Sequence, residues 1–437
     1  MDGLKISLRK ILYSAFKKNL VNEIKVAQFS GYVSENSGYH HGEASLNAAI
    51  VGMAQNYVGS NNIHLFEPNG QFGTRMQGGK DSASERYIYT QLNKLTRCIY
   101  SSKDDAILNY NNDDGMMVEP VYYLPIIPMV LVNGIKGIGT GFSTEILPYN
   151  PITIIQYTIN KIKGLNNSMT FTPYWHGFTG TIDEDVYGKY VVKGSYKKIG
   201  KDTIHVTELP VGFWTDDFKV LLETLMETVD KNGKKIKPVV KEYDDLSKST
   251  NVDVKIQFHT GVLDTLINKS ELEKVLRLHA SFSTNNMHLF DANEKLKKYG
   301  NIEDIIDDYY HVRLEGYTKR KAYIIQQLEK ELMLLSNKKR YIEEVLHDTL
   351  DLRKKTKVQI TCILRKRNYA IIEDDEDFKY LLKMPMDSVS IENVEKICKE
   401  YDNKEKELSY YKTTSEQEFW LSELKTLKTE YEKIIKT

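Results

Sequence analysis

The chain of 437 residues carries 60 basic and 60 acidic side chains, so a net charge of zero announces no polyanion partner by itself. Cys98, Cys362 and Cys398 are few, far apart and odd in number, which argues against a disulfide framework or a cysteine-based zinc site and points to a reducing, intracellular setting. No apolar run approaches the roughly 20 residues of a membrane span, no secretory core opens the chain, and the length suggests about three domains.

Charge is uneven along the chain. Through residue 97, 11 Lys and Arg stand against 7 Asp and Glu, an excess that suits a polyanion and also suits ordinary solvated surface. Residues 4–20 set Ile6, Ile11, Leu12, Ala15 and Phe16 against Lys5, Arg9, Lys10, Lys17 and Lys18, the pattern of an amphipathic helix with a basic side. Leu46, Ile50, Met53, Ala54 and Tyr57 repeat at helical steps and predict a second helix from Ala44 to Val58. Together the two helices suggest a small winged-helix-like unit, of the kind that lays a helix in a DNA groove.

From Glu67 to Thr90 the chain is a glycine-rich loop. Gly70, Gly73, Gly78 and Gly79 permit sharp turns, and Arg75, Lys80 and Arg86 supply the positive charge to hold a phosphate. Tyr87 follows Arg86. A phenol with a reference pKa of about 10 is a poor nucleophile until a cation or base stabilises the phenolate, and the neighbouring guanidinium is such a cation. Adjacent residues of a regular helix do not share a face, so the pair must lie in a loop or turn for both to reach one phosphate. With 29 tyrosines in the chain, a packing role for Tyr87 is the ordinary alternative.

Pro125 and Pro128 make a central strand implausible over Leu124–Val132, which reads as a bent or edge strand leading into the glycine-rich stretch Gly134–Gly141. The run Thr74–Asp81 has the length of a P-loop but lacks its first glycine and its metal-binding hydroxyl. Gly137, Gly139 and Gly141 miss the spacing of a dinucleotide fingerprint.

Beyond Pro151 the pattern is mixed α/β. Lys189–Ile199 and Thr203–Leu209 predict a hairpin, Thr215 with Asp216 and Asp217 predicts a helix start, and Val252, Val254, Ile256 and Phe258 alternate as a strand. After Ile302, Leu314, Tyr317, Ile324, Leu328, Leu332, Leu335, Ile342 and Leu346 trace a long helical stripe. Ser415 and Glu418 form a capping box, and Leu421, Leu424, Leu427, Tyr431 and Ile434 are expected to form the facing seam of an antiparallel arm. Val358–Tyr411 would then be a helical knob at its tip, interrupted by the acidic run Glu373–Asp377.

Four blocks, in order, carry a family resemblance: Asp2-Gly3-Leu4-Lys5 followed by Arg9-Lys10; Tyr39-His40-His41-Gly42-Glu43; the loop ending in Arg86-Tyr87; and Val132–Gly141. The chain resembles the type IIA DNA topoisomerases. Val58–Ile63 and Gly78–Asp81 are typical of the eukaryotic and large-DNA-virus branch. The resemblance is specific through residue 150 and continuous to the C-terminus.

It implies an α+β multidomain fold: a winged-helix-like DNA-binding and cleavage head over 1–150, a mixed α/β tower over 151–301, and a long antiparallel coiled-coil arm with a helical dimer gate over 302–437. It also implies that Tyr87 attacks a DNA phosphodiester, assisted by Arg86 and His41, with Lys5, Arg9, Lys80 and the wedge residue Ile138 in contact with DNA. The expected partners are double-stranded DNA and a second copy of the chain, with no membrane.

The family's magnesium is held by a glutamate and an Asp-x-Asp set on a separate domain, and its ATP by another. Asp183–Asp185 and Asp375–Asp377 read as solvated acidic turns rather than a magnesium site, so no cofactor site is identifiable in this chain. The chain is therefore expected to be a piece of a longer protein, acting in a nucleus or, if viral, in host cytoplasm. A packed His41 and a buried loop Ile138 remain the ordinary readings of those residues. A non-enzymatic architectural dimer that bends DNA is the alternative function, and a tethering coiled-coil protein would explain only residues 302–437.

Overall fold

Short helices tied by long-range side-chain bonds begin the computed structural model, which describes residues 1–166, 168–228, 237–372, 375–385 and 389–436. The chain divides into two compact units, Met1–Arg313 with Leu421–Thr437, and Leu314–Trp420.

In the first unit α1 (Ile6–Lys18) buries Ile11, Leu12 and Ala15. It ends in two lysines at the negative end of its dipole and a left-handed Asn19. Strand β1 (Ile24–Lys25) leads into α2 (Val26–Ser37), and α3 (Glu43–Ala54) follows. Helix α3 stops four residues short of the predicted Val58. The reason is Asn61, whose side-chain amide takes the carbonyls of Gly52 and Gln55 at 2.8 and 2.9 Å and so closes the helix end.

Strand β2 (Tyr89–Thr90) pairs antiparallel with β1, and α4 (Lys94–Ile99) is capped by Asn93. Strands β3 (Tyr110–Asp113) and β4 (Met116–Pro120) form a hairpin. The strand expected over Leu124–Val132 is instead extended chain followed by a buried turn of helix, α5 (Met129–Val132). Pro128 stands at the N-cap, where its missing donor leaves nothing unpaired. The glycine-rich stretch becomes the hairpin of β5 (Ile135–Gly139) and β6 (Phe142–Ile146). Asn62, 6% exposed, gathers this region: its amide donates to the Val132 and Tyr174 carbonyls at 2.8 and 2.9 Å, and its oxygen accepts the His176 N–H at 2.8 Å.

Helix α6 (Pro151–Ile162) opens the mixed α/β part with an Asn150 cap and proline in its first turn. Strands β7 (Thr181–Val186), β8 (Lys189–Lys193), β9 (Ser195–Lys198) and β10 (Thr203–Glu208) precede α7 (Thr215–Met226). After it come β11 (Val240–Asp245), β12 (Val254–Phe258), α8 (Val262–Asn268), α9 (Leu272–Val275), β13 (His279–Ser283), β14 (Met287–Phe290) and β15 (Leu296–Tyr299). One sheet runs β11-β12-β10-β9 and another β13-β8-β7.

The predicted hairpin forms between β9 and β10, but its first arm splits at Gly194 and sends β8 to the other sheet. A side chain at Gly194 would begin 2.3 Å from the Glu208 carbonyl, so only glycine lets the chain change sheets there. Alternating Ile204, Val206, Val254, Ile256 and Phe258 meet Phe218 and Leu222 of α7 in one core.

Helix α10 (Ile302–Leu346) supplies residues to both units. In the second unit it is followed by α11 (Lys357–Lys366), α12 (Lys379–Leu382) and α13 (Ile391–Thr413), and α14 (Glu416–Lys436) starts there at the expected capping box, with Ser415 N–H to Glu418 at 2.8 Å. Within this unit α13 lies along α10, and the expected partner segment 415–435 also meets α10 at its start, where Lys321 pairs with Glu416 at 3.6 Å and the Tyr317 and Trp420 rings lie 5.5 Å apart. Lys404 pairs with Glu331 at 2.9 Å and Lys412 with Glu329 at 2.7 Å, and Ile397 packs with Leu335 and Ile342. From Leu421 onward α14 belongs to the first unit, where Lys428 reaches Gln156. Of the acidic run, Glu373 and Asp374 lie outside the described residues; Glu376 and Asp377 pair with Arg365 and Lys357. No helix among the described residues is long and apolar enough to cross a membrane.

Candidate active site

The Arg86–Tyr87 pair stands in a turn whose backbone is bonded on both sides. Tyr87 N–H donates to the Ser84 carbonyl at 2.9 Å. The first two residues of α2, Val26 and Ala27, donate to the carbonyls of Ile88 and Glu85 at 3.0 and 3.1 Å. Lys25, the N-cap, offers no side-chain bond, so the turn itself satisfies donors that a helix start leaves open. Ile88, 1% exposed, anchors the turn inward, and the neighbouring Tyr87 is left 76% exposed beside an exposed Arg86. Burial pushes the phenols of Tyr100, Tyr123 and Tyr149 up, which disqualifies them as nucleophiles near neutral pH.

The preceding loop is closed by Asp81, whose carboxylate accepts the Thr74 N–H at 2.9 Å and its hydroxyl at 2.6 Å. Gly73, at φ +96°, faces Gly79 so closely that a side chain would begin 2.5 Å from the Gly79 backbone. Of the three loop cations, Arg75 must be reassigned: it is 5% exposed and ion-paired with the buried Glu208 at the end of β10. Glu208 also accepts the N–H and hydroxyl of Thr179 at 3.2 and 3.0 Å. Its acid thus cancels the charge expected to face a phosphate.

Lys80 and Arg86 make no ion pair among the described residues, and both line an open cleft of about 590 Å³. Its other wall is α3, where Ala44 and Ala48, one turn apart, leave room. Glu43 and Glu85 line the same cleft, so Lys80 and Arg86 can meet a phosphate-bearing ligand there while the cleft as a whole carries both signs of charge.

His41 is exposed between α2 and α3, its ring edge-on to Tyr39 at 5.5 Å, and no bond among the described residues joins it to Tyr87. Lys5 is exposed at the N-cap of α1 and runs past the β5–β6 hairpin, its Cε 3.9 Å from where a side chain on Gly137 would begin. The next residue, Ile138, is 95% exposed opposite Ser143, so the alternative of a buried loop isoleucine falls away. Arg9 is turned inward: its guanidinium bonds both Asp2 carboxylate oxygens at 2.9 and 3.1 Å and the Leu4 carbonyl at 3.0 Å. Gln55, Glu208 and Trp214 shape the site and carry no local sequence signal, since the loop residues they hold lie elsewhere in the chain. No three His, Cys, Asp or Glu side chains gather in a group that could hold a metal among the described residues.

The DNA gyrase/topoisomerase IV A-subunit family matches this chain over residues 1–425. The chain belongs to this family. Its relatives include the DNA topoisomerase 2 of Arabidopsis thaliana, 39% identical over 99% of this chain and 32% of that protein. The DNA topoisomerase 2 of Acanthamoeba polyphaga mimivirus is 37% identical over 97% of this chain and 38% of its own length. The chain thus spans about a third of these relatives. A crystal structure of the Plasmodium falciparum topoisomerase II DNA-binding, cleavage and re-ligation domain superposes with a TM-score of 0.92 at 38% identity, covering 100% of this chain and 61% of that one. The mixed α/β fold is that of this domain.

Replacing Glu208 with alanine strands the Arg75 guanidinium in a poorly exposed site. The variant should lose about 3–5 kcal/mol of stability in urea denaturation, whereas changing both residues to apolar ones should recover most of the loss.

Proposed function

We propose that this chain is the DNA-binding and cleavage core of a type II DNA topoisomerase, which makes a transient double-strand break through phosphotyrosine links, passes a second duplex and religates. The observation that carries the reading is the exposed Tyr87 beside Arg86, in a backbone-bonded turn at the rim of the cleft that Lys80 also lines. The Tyr87 oxygen attacks phosphorus in line. The P–O bond to the sugar breaks as the phenolic bond forms, the phenolic proton is lost, and the departing sugar oxygen gains one.

Arg86 and Lys80 neutralise the non-bridging oxygens, His41 donates to one of them, and Lys5 holds an adjacent phosphate. The phosphotyrosine ester keeps the phosphodiester energy, so religation is the same step in reverse and needs no fuel. Magnesium and ATP would be held by other domains of the complete enzyme, and magnesium held there would supply positive charge to the reaction.

In this reading residues 1–150 are a winged-helix-like head, 151–301 a tower and 302–437 a coiled-coil arm. Its tip is the gate of a homodimer that sets two tyrosines on one duplex. The exposed Val358 and Ile391 support an apolar contact at the tip. Ile138, standing free on its hairpin beside Lys5, is the wedge that kinks the duplex, at a cost of about a few kcal/mol per unstacked step. The same exposed isoleucine favours the second reading, an architectural DNA-bending dimer without chemistry.

Tyr87→Phe separates the two readings. In the complete enzyme it should abolish the covalent protein–DNA adduct and the relaxation of supercoiled DNA, while gel-shift affinity stays within about twofold, because one hydroxyl is removed and every cation is kept. An adduct that persists would exclude Tyr87 as nucleophile. Ile138→Ala should reduce duplex bending, read by energy transfer between end labels, with little change in affinity; unaltered bending removes the wedge. Deleting residues 347–390 should convert the dimer to monomer in sedimentation velocity, and an unchanged dimer would move the gate elsewhere.

A further inference from the structure

The glycine loop is held from outside by one segment of the mixed α/β part. The Trp214 ring lies over Gly78, where a side chain would begin 2.3 Å from the indole, and against Gly59, at 3.3 Å. The same ring stands edge-on to Tyr57 at 5.7 Å. Beside it, Asp216 N–H at the start of α7 donates to the Met76 carbonyl at 3.0 Å, and the Asp216 carboxylate accepts the Gln77 amide at 2.9 Å.

From Tyr57 the packing continues inward. Its hydroxyl reaches Gln55 at 3.5 Å, and the Gln55 amide donates to the Phe72 carbonyl at 2.9 Å and to the Gly79 carbonyl at 3.4 Å. Gln55 and Gly79 line the cleft, and Lys80 is the next residue. The indole is thus two residues from a cation that faces the cleft, on a loop whose glycines admit no slack on that side.

We propose that Trp214 is a positioning residue for cleavage, acting through the Gly78–Gly79 backbone to set Lys80 against the scissile phosphate. The proposal rests on the reading of Lys80 as a phosphate contact and of Tyr87 as nucleophile. Trp214 touches no reacting atom; removing it leaves the cations in place and lets the loop relax into the space the ring vacated. A displacement of about 1 Å from such a change slows a step that depends on alignment far more than it weakens binding. The mixed α/β part thereby acquires a role in the chemistry as well as a fold of its own.

The test is a double-mutant cycle in the complete enzyme, by single-turnover cleavage at saturating duplex. Trp214→Ala should slow cleavage about tenfold with duplex affinity within about twofold, and Trp214→Phe, which keeps a ring over Gly78, should restore most of the rate. Lys80→Ala should slow cleavage too, and Trp214→Ala combined with Lys80→Ala should be no slower than Lys80→Ala alone. Gly78→Ala, which pushes on the indole from the other side, should reproduce the same split and serves where Trp214→Ala does not fold. Slowing that multiplies in the double variant, or affinity and rate that fall together in both Trp214→Ala and Gly78→Ala, overturns the proposal. A Tyr87→Phe enzyme run alongside reads the nucleophile independently: its adduct fails or persists whatever the cycle gives.

Discussion

The Arg75 guanidinium and the Glu208 carboxylate meet in a buried position, and a charge so placed has to keep its partner. The arginine belongs to the glycine loop and the acid to the end of a strand in the mixed α/β part, so their pairing fixes one against the other. Around this pair the loop cannot drift. Asp81 closes it on one side, Trp214 and the start of α7 hold it on another, and the start of α2 holds the turn that follows. Lys80, Arg86 and Tyr87 are among the loop residues left exposed by this anchoring.

The cations show how a neutral protein can present a charged site. Lys10, Arg9, Arg75 and Arg313 are held by Glu119, Asp2, Glu208 and Asp104, all in poorly exposed positions. Lys80 and Arg86 make no ion pair among the described residues and face an open cleft that Glu43 and Glu85 also line, where salt screens their fields over about 10 Å. A phosphate there would feel the charges its own position brings near, not the net charge.

The turn that carries Tyr87 was legible in the sequence because glycines and an Arg-Tyr pair restrict the backbone locally. Helices α1 and α3 and the β9–β10 hairpin were legible through periodicity and turn residues, whereas α2 and α4 were not foreseen. Arg75 was not, since a loop arginine looks alike whether it faces solvent or an acid 133 residues away. The partner of α10 was half legible. An apolar seam states which face of a helix is buried but not which helix it meets; α13 lies against α10 through Glu329 and Glu331, and the start of α14 meets it at Tyr317 and Lys321. Leu124–Val132 was misread because two prolines argue against a sheet without saying that one of them would open a helix.

The bonds between the tyrosine turn and α2 run entirely through main-chain atoms: the Ile88 and Glu85 carbonyls and the N–H groups of Val26 and Ala27. Geometry held this way is indifferent to side-chain identity. Ser84 and Glu85 are free to drift over evolutionary time without moving the phenol, and so are the side chains of α2's first turn where the core tolerates them. Proline, which helix starts otherwise welcome, would be costly at positions 26 and 27, because there the donor it lacks is in use.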